Sequence, residues 1–177
     1  SVIGLNPLHP LFPGNPAHCS PYSPTSRRFI NASYLDITHV VNYAECKEAK
    51  DLINSDEFQQ RIEQFNNADR IDYAGVSWLK HRALNVLFDH FYEKHIKAKS
   101  PLSKAFDKFC RAKGTELDRL ALFDALYEHF RALDENAYGW QSWPQEYQSP
   151  DSKAVAAFKR KHSKRVRYFK FLQWNSD

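Results

Sequence analysis

The stretch IGLNPLHPLFPGNPAHCSPYSPTSRRFINASYLDI, residues 3–37, differs in kind from the rest of the chain. It holds six of the nine prolines. VIGL at 2–5 and INASYLDI at 30–37 are short segments rich in β-branched and aromatic residues, which predicts strands. From Tyr43 onward the apolar residues recur every three or four positions, which predicts helices. The sequence therefore predicts an α/β, helix-rich fold, with two or three short strands followed by about six helices.

Capping residues define the predicted helices. Ser55 and Asp72 are typical N-caps, Pro101 follows a capping serine, and Gly114 is placed to end a helix in the left-handed conformation. The predicted helices cover residues 43–54, 56–66, 73–97, 101–114, 116–133 and 152–176. Residues 134–150 form a predicted loop with two tryptophans and two tyrosines.

Composition limits the classes of protein to consider. A chain of 177 residues that is 42% hydrophobic is long and apolar enough to form a real core. The net charge of +4 does not require a nucleic acid partner. Three widely spaced cysteines indicate a reducing, cytoplasmic setting, and no apolar run is long enough to cross a membrane. The absence of methionine and the abrupt ends lead us to expect an internal part of a longer protein.

Several kinds of site are not indicated. His90 and His95 lie five residues apart, which separates them by about 140° around a regular α-helix, so we expect no metal site there. The five glycines are scattered, which excludes a glycine-rich phosphate loop. There is also no GxSxG sequence, so no serine nucleophile is expected. No cofactor is implied.

The last predicted helix is strongly basic. Residues 152–176 contain eight cations and no acid: Lys153, Lys159, Arg160, Lys161, Lys164, Arg165, Arg167 and Lys170. Such a run can bind an acidic partner or a phosphate backbone. It can equally coat the solvent face of an amphipathic helix whose inner face is Val155, Phe158, His162, Val166, Phe169 and Leu172.

Tyr22 lies in a stiffened loop. Pro21 and Pro24 fix φ near −65° and also restrict the residues before them, so the tyrosine loses little backbone entropy when it is held in place. An exposed aromatic ring can stack on the apolar face of a sugar, and the hydroxyls of Ser20 and Ser23 can satisfy sugar hydroxyls. The alternative is a proline-rich turn with a packed structural tyrosine.

Residues 3–37 closely resemble the start of the catalytic barrel in bacterial amylomaltases, the 4-α-glucanotransferases or disproportionating enzymes of glycoside hydrolase family 77. DYAGVSWLKHRAL at 72–84, WQSWPQEYQSPDSKAVAAF at 140–158 and FLQW at 171–174 resemble the same family in the same order. The resemblance implies a fragment of a (β/α)8 TIM barrel with an inserted α-helical subdomain. Residues 1–39 would be early barrel strands and the substrate loop, and residues 40–177 the helical insertion, ending in a helix that returns to the barrel.

The resemblance also implies an activity. Such enzymes transfer α-1,4-glucan segments between maltodextrins by a retaining mechanism, which needs two carboxyl groups about 5–5.5 Å apart. None of the family's catalytic carboxylates can be matched here, so this chain is expected to be inactive alone, without the rest of the barrel. Asp36 follows the family's YLDI pattern and is expected to be structural.

Among site residues, Tyr22 fits the family tyrosine that stacks on the sugar ring, and Ser20 fits a neighbouring polar contact. Cys19 departs from the small residue expected there. Trp140, Trp143 and Tyr147 are either accessory sugar contacts or packing residues. The alternative function is a non-catalytic helical module that binds an acidic partner through the basic helix at 152–176.

Overall fold

The computed structural model describes residues 2–177, which are mostly helical. The α-helices are α1 (Lys47–Ile53), α2 (Asp56–Asn66), α3 (Tyr73–Phe91), α4 (Pro101–Leu133), α5 (Lys153–Lys161) and α6 (Ser163–Ser176). Short 3-10 turns cover Ala32–Tyr34, Ile37–His39, Tyr43–Glu45, Trp140–Ser142 and Gln145–Tyr147, and a π-helical turn covers Tyr92–Ile96. Within residues 2–177, none of these helices combines the length and apolarity that crossing a bilayer requires.

The strands predicted at 2–5 and 30–37 are wrong, because residues 2–177 contain no β-strand. Residues 30–37 instead contain a 3-10 turn and the start of a second. Asn31 accepts a hydrogen bond from the Ser33 amide and Asp36 accepts one from the Thr38 amide, each at 2.9 Å. Side chains that bond to their own backbone in this way favour turns over extended pairing. The prediction of a helix-rich chain is confirmed.

Helices α3, α4 and α6 enclose the main core. The Phe91 ring lies 5.7 Å from the Phe106 ring and 5.0 Å from the Phe171 ring, measured between centroids. Burying one such side chain stabilises the fold by about 1.5–3 kcal/mol. Helix α6 is buried on more than the predicted stripe, through Val166, Tyr168, Phe169, Phe171, Leu172 and Gln173.

The helix boundaries predicted around Gly114 and His162 differ from the structure. Gly114 has a positive φ of 57°, but its ψ of −140° lies outside the left-handed helical region, and α4 resumes directly after it. The single helix predicted at 152–176 divides at His162, whose φ and ψ of −106° and 28° are not helical. The His162 ring stacks on Phe158 with the centroids 4.2 Å apart.

The proline-rich segment, residues 3–37, contacts the helices through polar and aromatic side chains. The side chain of Gln173 donates to the Ile30 carbonyl at 2.9 Å and accepts from the Ile30 amide at 3.3 Å. The Phe12 ring lies 5.1 Å from the ring of Tyr127 in α4. At Gly14, an added Cβ would lie 2.8 Å from a Tyr127 ring carbon, so the close approach of this segment requires glycine. The part of the chain between Phe12 and Ile30 therefore packs on α4 and α6.

Candidate functional site

Tyr22 occupies the second central position of a tight turn. The Ser23 amide donates to the Ser20 carbonyl at 3.2 Å, and Pro21 stands at the position where a proline pre-sets φ for such a turn. The Tyr22 side chain is 69% exposed. Its hydroxyl donates to Asn6 Oδ1 at 3.2 Å. The turn thus presents a solvent-exposed aromatic ring next to an amide side chain.

Hydrogen bonds fix the loop just after the turn. Both the amide and the hydroxyl of Thr25 donate to the Pro10 carbonyl, at 2.9 and 3.1 Å. The Asn31 amide donates to the Leu8 carbonyl at 2.8 Å. These bonds attach residues 25–31 to residues 8–10, so the position of Tyr22 is set by backbone contacts on both sides of the loop.

A cavity of about 260 Å³ lies between the proline-rich segment and the helices. One wall comes from Asn6–Pro7, His9–Pro13, Cys19 and Pro21, and the other wall includes His81, Asp124 and Gln173. Cys19 and Pro21 are the chain neighbours of Ser20, and Pro21 also precedes Tyr22. Ser20 and Tyr22 themselves are exposed outside this lining.

Asp124 is a buried carboxyl group in this cavity wall. Its Oδ1 atom is buried without a hydrogen-bond partner. Burial, and then the negative charge of Glu128, raise the pKa of Asp124 well above its ordinary value. Asp124 was not among the predicted site residues, although it falls on the apolar stripe of α4 between Leu120 and Tyr127, where a polar side chain is unexpected.

His81 is the second buried polar group of the wall. Its Nδ1 atom lies 2.6 Å from the Tyr168 hydroxyl. Burial, and then the positive charge of Arg165, lower the pKa of His81 to about 4. The imidazole is therefore neutral at neutral pH, and its Nδ1 atom can accept a hydrogen bond from the Tyr168 hydroxyl. Together with the buried carboxyl group of Asp124, it gives the cavity a polar lining of the kind that hydroxyl-rich molecules can bind.

The aromatic residues of the 134–150 loop serve two purposes. Trp143 is buried and its ring stacks on Phe130 with centroids 5.2 Å apart, while Tyr147 meets Phe130 edge-on at 5.0 Å. Trp140 is 46% exposed and lines a second groove of about 560 Å³ with Asp118 and Lys159. Trp143 and Tyr147, which also line this groove, therefore contribute packing, and Trp140 is the more exposed of the two loop tryptophans.

Many cations of the basic helices are already paired. Lys159 and Lys170 both contact Asp118, Lys164 contacts Asp89, and Arg165 forms a two-pronged contact with Glu128. Lys153, Arg160, Lys161 and Arg167 are exposed. Half of the basic run thus joins α5 and α6 to α3 and α4.

Two further residues of the sequence analysis have clear surroundings. The Asp36 carboxylate accepts bonds from the Thr38 amide and hydroxyl and contacts His39 at 2.8 Å, so it caps the turn that follows. The regular-helix geometry assumed for His90 and His95 is wrong, because His95 lies in the π-helical turn at Tyr92–Ile96. Their ring centroids are 6.2 Å apart.

Comparison with known proteins gives a consistent result. A family model of glycoside hydrolase 77, described as 4-alpha-glucanotransferase, matches residues 1–177. A 4-alpha-glucanotransferase of Haemophilus influenzae is 32% identical over 175 residues, which is 97% of this chain and 25% of that protein. A 4-alpha-glucanotransferase of Mycobacterium tuberculosis is 30% identical over 182 residues, 98% of this chain and 23% of that protein. The chain spans about a quarter of the length of these relatives.

Proposed function

Because the chain belongs to the 4-alpha-glucanotransferases of glycoside hydrolase family 77, we propose that it is part of an enzyme that transfers α-1,4-glucan segments between maltodextrins. We assign residues 1–39 to the substrate-loop region of a TIM barrel, and residues 40–177 to a helical insertion. A reducing cytoplasm is the setting we assign to it, and its three cysteines are free.

In this proposal Tyr22 stacks on a sugar ring and Ser20 makes a neighbouring polar contact. The observation that carries it is the exposed Tyr22 ring on a turn fixed by Pro21. A pyranose has an apolar C–H face that matches an aromatic ring, and the rigid turn reduces the entropy lost when the two stack. The Ser20 side chain is exposed one residue before Pro21.

The chemistry is a retaining transfer. A carboxylate attacks the anomeric carbon, a carboxylic acid protonates the departing oxygen, and the glycosyl-enzyme then passes its sugar to the 4-hydroxyl of an acceptor. We assign these two carboxyl groups to parts of such an enzyme outside residues 1–177, so this chain alone is expected to be inactive. Its role is to bind glucan beside the reacting bond and to keep water away from the intermediate.

The test uses the complete enzyme that contains this segment. Incubation with maltotriose should give equal amounts of glucose and maltopentaose at first, because one glucan segment is moved from one molecule to another. Chromatography by size measures these products. Unchanged maltotriose would contradict the proposed activity, and accumulation of glucose and maltose without longer chains would indicate a hydrolase instead.

Tyr22→Ala in the complete enzyme should lower the transfer rate at least tenfold, because the ring that stacks on the sugar and positions it is lost. The unfolding free energy should change by less than about 0.5 kcal/mol. The matched control is Tyr138→Ala, which removes another tyrosine of similar exposure, 63% against 69%. Rates on maltotriose and urea unfolding are the two measurements. Equal rates for the two variants would remove Tyr22 from the site.

A further inference from the structure

A π-helical turn brings two histidines together at the end of α3. In a π-helix the hydrogen bonds span five residues, so residues five apart lie nearly above one another. The Lys97 amide bonds to the Tyr92 carbonyl at 3.0 Å, and the Ser100 amide bonds to the His95 carbonyl at 3.1 Å. This wide turn places the His95 ring near the His90 ring instead of on the opposite flank of the helix.

A carboxylate from another part of the chain completes the group. Glu45 ends the 3-10 turn at Tyr43–Glu45, and its Oε1 atom contacts His95 Nε2. One ligand atom from each of Glu45, His90 and His95 lies within 4.8 Å of the other two. The His95 side chain is 14% exposed and that of Glu45 is 49% exposed. The three donors therefore converge at a half-open position that an ion can reach from solvent.

The hydrogen bond on the far side of His95 suits metal binding. Its Nδ1 atom lies 2.9 Å from Ser100 Oγ, the hydroxyl that also caps the start of α4. When Nδ1–H donates to that hydroxyl, the lone pair on Nε2 points toward Glu45 and is free for an ion. A partner that fixes the ring and its tautomer in this way is typical of metal-ligating histidines.

A buried amide stands behind His90. Asn42 Nδ2 donates to the Leu87 carbonyl at 2.9 Å and to His90 Nδ1 at 3.2 Å, while Asn42 Oδ1 is buried without a partner. Rotation of this amide by 180° would cost the bond to Leu87. It would also present the unpartnered Oδ1 as an acceptor for Nδ1–H of His90, which leaves Nε2 free for a metal ion.

We propose that Glu45, His90 and His95 bind a divalent transition metal ion, best matched by Zn²⁺, with a water molecule in the fourth position. Two imidazoles and one carboxylate are a usual donor set for this ion, whereas Ca²⁺ and Mg²⁺ prefer oxygen ligands only. None of the three residues lines the cavity described above. The ion joins the turn before α1 to the junction between α3 and α4, and it therefore stabilises the folded chain.

The test is a titration of the 177-residue chain with Zn²⁺ and Co²⁺. Calorimetry is expected to show one Zn²⁺ per chain, Zn²⁺ is expected to raise the unfolding temperature, and Co²⁺ is expected to give the visible absorption of a four-coordinate site. His90→Gln, His95→Gln and Glu45→Gln should each weaken Zn²⁺ binding at least tenfold, since a ligand is lost. Circular dichroism checks that each variant is folded.

His39→Gln is the matched control. His39 also contacts a carboxylate, Asp36, at 2.8 Å on the surface, and within residues 2–177 no third metal donor joins that pair. This variant should bind Zn²⁺ like the original chain. Lack of saturable Zn²⁺ binding, or equal binding by the His95→Gln and His39→Gln variants, would overturn the proposal. Where a histidine variant does not fold, Glu45→Gln carries the test, because it changes a half-exposed carboxylate only.

Discussion

Asp124 and His81 line one cavity, and burial shifts their pKa values in opposite directions because it penalises the charged form of each. Over the pH range between its unfolded and folded pKa values, Asp124 takes up a proton on folding, whereas His81 releases one over its own range. Each group therefore makes the unfolding free energy depend on pH, and the two dependences have opposite signs.

Asp124→Asn tests the first of these groups. The pKa of Asp124 is raised in the folded chain, so above the unfolded value of 3.8 the folded state binds more protons, and stability falls as pH rises. The asparagine variant lacks this loss. The unfolding free energy of the variant minus that of the original chain should therefore be larger at pH 8 than at pH 4. Urea unfolding at both pH values measures this difference. A pH-independent difference would contradict the burial of a carboxyl group here.

His81→Gln tests the second group. The unfolded pKa is 6.5 and the folded pKa is about 4, so the unfolded state binds more protons between these values. Stability is then complete above pH 6.5 and is lost as pH falls toward 4, by up to about 3 kcal/mol. In the glutamine variant this pH slope should be smaller by nearly one proton. Identical slopes in urea unfolding from pH 7 to pH 4 would show that folding does not lower the pKa of His81.

At the scale of elements, Gln173 couples α6 to the proline-rich segment. Its amide bonds to both the N–H and the C=O of Ile30, as a neighbouring strand would. The apolar pattern predicts a strand at residues 30–37 and indicates no role for Gln173. A side chain of another element meets the backbone there, and a local apolar pattern carries no information about such a long-range contact.

Gln173→Met should weaken this connection. Methionine has a similar length but leaves two backbone groups of Ile30 without their partners, which costs about 1–3 kcal/mol of unfolding free energy. Hydrogen exchange of the Ile30 amide should become faster by a larger factor than that of Phe91, which lies in the main core. The control is Gln59→Met, whose amide bonds to a single backbone group, the Ile53 carbonyl at 2.6 Å. Equal exchange at Ile30 in both variants would contradict the role of Gln173.

The starts of the helices were easier to predict from the sequence than the turns, the helix break and the long-range contacts. Ser55, Asp72 and Ser100 accept bonds from amides at the starts of α2, α3 and α4, as their positions in the sequence indicated. Capping is local, so it can be read from neighbouring residues. The π-helical turn and the break at His162 carry no glycine or proline as a signal. The metal donors at Glu45 and His95, 50 residues apart, become neighbours only through the packing of α1 against α3.

For the whole molecule, the distribution of charge bears on which partners it can bind. The basic run has eight cations, yet Lys159, Lys164, Arg165 and Lys170 are held against acidic residues of α3 and α4. Ion pairs on the surface stabilise weakly, but a cation that already faces a carboxylate contributes less to binding a polyanion. The structure therefore favours the interpretation that much of this run covers the solvent face of the helices.

The salt dependence of polyanion binding tests this interpretation. If only Lys153, Arg160, Lys161 and Arg167 contact phosphates, the logarithm of the binding constant for double-stranded DNA should fall with the logarithm of salt with a slope of at most about 3.6. Contact by all eight would give a slope of about 7. Fluorescence anisotropy at several salt concentrations measures this slope. A salt slope near 7 would support the alternative function, a helical module that binds an acidic partner.

The contact between Gln173 and Ile30 also sets an order of events during synthesis. The two residues are 143 positions apart in the chain. At the usual rate of translation, about 5–20 residues per second, Ile30 leaves the peptidyl-transferase centre roughly 7–30 s before Gln173 is added. The proline-rich segment is thus synthesised first and packs last. During that interval its apolar residues Phe12 and Phe29, which pack on the helices in the folded chain, are open to any nascent-chain binding factor.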